Sequence, residues 1–138
     1  MIRNCYIYSS GPQGTWGTAI RLYNVSHARV ENCTFVNCDW AIYIPGLAQD
    51  VVIRHINITD CIEGVDISST TDLVFEDSLI ISTIGTWSAF DAYNCANIRV
   101  EDIALSGTFS FWMAGIMPRP RWATTGATTR GQMRTTTA

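Results

Sequence analysis

The chain has 138 residues, 47% of them hydrophobic and 15% charged, with a formal net charge of −3. That length allows one ordinary domain and no large multidomain enzyme, and the apolar fraction is too high for a wholly disordered chain. No apolar run reaches the ~20 residues of a helical membrane span, and the absence of Lys removes Schiff-base and Walker-lysine chemistry.

Five segments share one pattern in chain order: Ile2 to Ile7, Val30 to Phe35, Ile53 to Ile58, Phe75 to Ile80 and Val100 to Leu105. A second short strand follows in each unit: Ala19 to Leu22, Ala41 to Ile44, Gly64 to Ile67 and Ala89 to Ala92, with a weaker fifth copy at Ala114 to Met117. The first four units then close on His27, Asp50, Asp72 or Asn97, residue types suited to left-handed turn geometry. Short period-2 strands at a repeat of ~22 residues, without helical periodicity, predict a coil of parallel strands in which each unit is one rung. Residues 1–117 form this domain. Residues 118–138 carry four Arg and no acid in a Thr- and Gly-rich stretch, and are expected to be a disordered tail.

All twelve acids lie in residues 1–117 against five Arg, and so acidic a body argues against nucleic-acid binding. Met1 is not followed by a charged and then an apolar region, so no signal peptide is expected. The abrupt start and the compositional break near residue 118 suggest a piece of a longer chain. Open coil ends would then be covered by further rungs or by a homo-oligomer.

In a parallel coil, equivalent residues of neighbouring rungs stack at ~4.8 Å. The inward columns are apolar: Val30, Ile53, Phe75, Val100; then Phe35, Ile58, Ile80, Leu105; then Ile42, Val65, Phe90. Cys5 stacks with Cys33, and Cys38 with Cys61; buried free thiols and disulfides both remain open, and Cys95 is left over. Arg3, Glu31, Arg54, Glu76 and Glu101 form an outward column that reads as a salt ladder. Three sequons, at Asn24, Asn32 and Asn57, are no more than an Asn- and Thr-rich repeat produces by chance.

The second strand carries the candidate site. Ala19, Ala41, Gly64, Ala89 and Ala114 read as the small-residue floor of a shallow outward groove. Beside it run Arg21, Tyr43, Asp66, Asp91 and Ile116, then Tyr23, Pro45, Ser68 and Tyr93. Trp16, Trp40, Glu63, Trp87 and Trp112 sit just before the floor. Aromatic faces among acids and hydroxyls suit sugar rings, although such rings also fill solenoid interiors. Glu63, Asp66 and Asp91 are the candidate acids: stacked like charges raise at least one carboxyl, and a close pair suits glycoside hydrolysis. Arg21, Asp39, Trp40, Tyr43, Trp87 and Tyr93 are candidate substrate contacts. No cofactor is expected, with calcium the alternative occupant of the acids. A solvated acidic face is the non-catalytic reading.

On its repeats, the chain resembles the right-handed parallel β-helix proteins of the pectate-lyase and polygalacturonase superfamily over residues 1–117. The resemblance implies an all-β solenoid of about five rungs, a polysaccharide partner, and an extracellular or cell-surface location. Locally, Glu63-Gly64-Val65-Asp66 is similar to the polygalacturonase Asn-Thr-Asp-Gly element. Asp39-Trp40-Ala41-Ile42 is similar to its Asp-Asp-Cys-Ile element, with Trp40 in place of the second Asp. The two elements occur in reversed order, and the Gly-His-Gly and Arg-Ile-Lys elements are missing. The implied function is a polysaccharide-active or polysaccharide-binding module, hydrolase or lyase-like. A non-catalytic structural β-helix, such as an adhesin or envelope repeat, is the alternative.

Overall fold

The structure, a computed structural model, describes residues 1–8, 17–81 and 89–105, and the backbone of 88, 108–114, 121–122 and 131–136. The strands are β1 (Ile2–Arg3), β2 (Tyr6–Tyr8), β3 (Thr18–Tyr23), β4 (Arg29–Val36), β5 (Trp40–Gly46), β6 (Ala48–Thr59), β7 (Glu63–Ser68), β8 (Thr70–Ile81), β9 (Ser88–Leu105), β10 (Thr108–Ala114), β11 (Arg121–Trp122) and β12 (Gly131–Thr136). All pairings between them are parallel. One face stacks β1 and β2, β4, β6, β8 and β9; the other stacks β3, β5, β7, β9 and β10. The chain therefore winds into an all-β parallel solenoid, as the repeat predicts, of about four turns against the about five rungs expected.

The inward columns are the core. Val30 pairs with Ile53, Ile53 with Phe75 and Phe75 with Val100, and all four are buried. Phe75 meets Phe90 edge-on across the core, with ring centroids 5.2 Å apart and planes at 67°, which ties the two faces together.

Corners come from left-handed residues. Among the described residues, fifteen non-glycine residues with positive φ fall into four columns: Asn4, Asn32, His55, Asp77, Asp102; Asn24, Leu47, Ser69, Asn94; His27, Asp50, Asp72, Asn97; and Asn37, Asp60. Asn and Asp tolerate this region because their side chains bond locally, and here they also bond between rungs. Asn32 Nδ2 donates to Asn4 Oδ1 at 2.7 Å, and Asn97 Nδ2 to Asp72 Oδ1 at 2.7 Å. The third column contains the four turn residues expected from the repeat. The first column divides each first strand in two, which is why Val30 and Phe35 both face inward although five residues apart.

The five cysteines are free, and each directly follows one of these corners. Cys5, Cys33, Cys38, Cys61 and Cys95 donate their thiols to the carbonyls of Arg3, Glu31, Val36, Thr59 and Tyr93, two residues back, at 3.2–3.6 Å. Ser78 and Thr70 make the same bond to Glu76 and Ser68. The side chain after the corner is a second donor at these carbonyls: those of Glu31, Thr59 and Tyr93 also accept the backbone N–H of Asn4, Asn37 and Ser69 on the neighbouring rung.

The last rung differs from expectation. Its second strand is Thr108–Ala114, pairing Phe109 with Phe90 and Trp112 with Tyr93. Ala114 is therefore not stacked on Ala89, and Trp112 does not continue the Trp40–Glu63 column. The connection from β9 to β10 is shorter than that from β8 to β9, so the small-residue match at Ala114 lies too late in the chain. Within residues 118–138 the backbone of Arg121–Trp122 pairs with Glu101 and Ile103, and that of Gly131–Thr136 with β10; the remainder lies outside the described residues.

Candidate functional site

The outer face of β3, β5, β7 and β9 is one continuous register: Arg21 pairs with Tyr43, Tyr43 with Asp66, and Asp66 with Asp91. Trp40 pairs with Glu63. These two groups converge on one face through a slip in alternation. Ala41 and Ile42 are both buried, as are Gly64 and Val65, and Ala89 and Phe90. Two consecutive inward residues return the residue before them and the residue after them to the same side. Trp40 thus stacks on Tyr43, three residues on, with centroids 5.4 Å apart and planes within 16°.

This corrects the expected groove. The small column is not an open floor: Ala41, Gly64 and Ala89 are buried. The residues are small because an extra inward position must fit within the wall. A Cβ on Gly64 would lie 2.2 Å from the Ala89 carbonyl oxygen and 3.1 Å from Ile80 Cγ2.

Trp40 Nε1 donates to Glu63 Oε2. Burial pushes the Glu63 carboxyl up to about 7; that hydrogen bond opposes the rise, while the charges of Asp66 and Asp91 add to it. Burial, then the Asp91 charge, pushes Asp66 up to about 6. Asp91 is raised by burial and eased by the Ala92 N–H. Asp91 Oδ1 is buried without a hydrogen-bond partner. Glu63 and Asp66 are thus poised between neutral and ionised forms at ordinary pH, with the raised Asp91 carboxyl beside them, the condition for proton transfer.

The cationic end is separate. The Arg21 guanidinium lies 6.0 Å from the Tyr23 ring centroid and 5.7 Å from that of Tyr43, two strands from Asp66. Tyr23 supports this cation from its own strand, two residues on, a position that alternation alone would identify. Tyr93 is exposed and pairs with Ser68. Asp39 is placed elsewhere: it is buried and accepts the Gly17 N–H at 3.1 Å on Oδ2, so it braces the start of β3. Trp16 and Trp87 lie outside the described residues, as do the side chains of Trp112 and Ser88. Tyr23 pairs with Gly46, one residue beyond the expected Pro45, because a bulge intervenes.

No group of three or more His, Cys, Asp or Glu among the described residues is arranged to hold a metal ion. Away from the site, Arg54 binds Glu31 at 2.9 Å, and Arg99 bridges the like-charged neighbours Glu76 and Glu101 at 3.3 and 3.4 Å. Arg99 joins the ladder from two residues before Glu101, on the same outer face. No helix among the described residues is long and apolar enough to cross a membrane.

The family model described as a right-handed beta helix region matches residues 1–107. Neither the curated proteins nor the solved structures give a match.

Proposed function

We propose that this chain, which belongs to the right-handed β-helix family, engages an extended polysaccharide along the outer face of β3, β5, β7 and β9. The observation that carries this reading is the convergence of three raised carboxyls, Glu63, Asp66 and Asp91, beside the stacked Trp40–Tyr43 pair. Aromatic faces suit the C–H face of a sugar, and Arg21 and Tyr93 offer polar contacts to its edges. In the hydrolytic version a protonated acid donates to the leaving oxygen while an ionised neighbour attacks or activates water. The ~4.8 Å spacing of adjacent strands suits the closer, retaining arrangement of two carboxyls. A polymer substrate places the protein outside the cell or on its surface.

The test is a panel of neutral, acidic and amino polysaccharides assayed for binding, new reducing ends and unsaturated products. Binding with turnover that falls at least about 100-fold in Asp66→Asn/Asp91→Asn supports the reading; equal turnover in the double variant removes these residues as catalysts.

A second reading is a non-catalytic surface β-helix. The burial of Ala41, Gly64 and Ala89 favours it, because the face then lacks the recessed floor that a groove needs. That reading expects stable self-association with no turnover on any glycan.

A further inference from the structure

We propose that Asp66 and Asp91 carry a single proton between them, the hydroxyl of one carboxyl donating to an oxygen of the other. They are register partners on adjacent parallel strands, so their backbones are ~4.8 Å apart and their side chains leave the same face. Val65 and Ile67, and Phe90 and Ala92, flank them on the inward side. Asp91 Oδ1 is buried and lacks a hydrogen-bond donor. An ionised pair would leave that oxygen unsatisfied beside a second negative charge, and each of these is costly. One shared proton removes both problems.

Among the described residues the Ala92 N–H eases Asp91 but leaves Oδ1 without a partner. Neither Asp66 nor Asp91 forms an ion pair among the described residues. On β7, Glu63 adds a third acid; on β5, Tyr43 pairs with Asp66. On β3, Arg21 is two strands away over its tyrosine rings. Behind the sheet, the buried Cys95 thiol is itself pushed up, first by burial and in part by both aspartates. The backbone of Ser110 pairs with Asp91 on β10. Burial raises both carboxyls, and the Asp91 charge adds to the rise of Asp66.

The pair exists with no ligand bound, so it stands or falls separately from the glycan reading. On a ligand it would present a proton donor beside an ionised acceptor. Carbon-13 NMR titration of the Asp carboxyls in the full chain tests it. The expected result is two steps shared by Asp66 and Asp91, separated by more than about one pH unit, with the upper step near 6. Asp91→Asn should lower the Asp66 midpoint by about one unit, and Asp66→Asn should lower that of Asp91 reciprocally. Ordinary single titrations of both residues in the wild type overturn the proposal without any variant. An Asp66 midpoint unmoved in folded Asp91→Asn also overturns it, leaving burial as the sole cause.

Discussion

A Cβ placed on Gly64 would sit 2.2 Å from the carbonyl oxygen of Ala89, so β7 and β9 approach each other there more closely than any side chain permits. Gly64→Ala must push the two strands apart or distort both. The expected loss is about 1–3 kcal/mol, the usual range for overpacking, read from urea denaturation of purified protein. A variant as stable as wild type would show that the wall yields freely at this point.

Glu63 is only 6% exposed, and its carboxyl is pushed up to about 7, whereas an unfolded Glu titrates at about 4.3. Between these values the folded protein binds more protons than the unfolded chain, so this group's stabilisation falls as pH rises and is lowest above about 7. Glu63→Gln keeps an acceptor for the Trp40 indole and cannot ionise. It should match wild type near pH 4 and exceed it near pH 8 by on the order of 2–3 kcal/mol. Parallel stability curves for the two proteins across this range would show that Glu63 titrates normally.

The thiols are donors to corner carbonyls, so hydroxyl replacement should preserve what alanine removes. Cys61→Ser retains a donor for the Thr59 carbonyl, and Cys95→Ser one for Tyr93. Each alanine variant should be less stable than its serine counterpart by about 0.5–1.5 kcal/mol, the net value of one hydrogen bond. Wild-type melting should be the same with and without reductant. A reductant-dependent melting temperature would replace this account with a disulfide.

The architecture was legible because a solenoid repeats each requirement in every rung. Val30, Ile53, Phe75 and Val100 announce one inward column four times over, so the pattern survives a variable residue in any single copy. His27, Asp50, Asp72 and Asn97 were recognisable as turns for the same reason. The site was only partly legible. Glu63, Asp66, Asp91, Trp40 and Tyr43 could be named as neighbours from the repeat, yet the repeat also suggested an open small-residue floor, whereas Ala41, Gly64 and Ala89 are buried.

Sequence alone determined the coil, its inward columns and the outward run Arg21, Tyr43, Asp66 and Asp91, since these follow from period and spacing in one dimension. Tertiary structure decided what the spacing leaves free. It turned Ala41, Gly64 and Ala89 inward, because two consecutive buried residues look like ordinary alternation until the wall is closed. It moved the last second strand to Thr108–Ala114, because connection length, and not residue similarity, sets where a strand meets its ladder. It gave the five cysteines a common task at the corners, since a thiol reaching back across a left-handed residue to the carbonyl two positions earlier has no signature in sequence. And it raised Glu63 and Asp66, because burial and facing charge belong to a surface that exists only after the rungs have stacked.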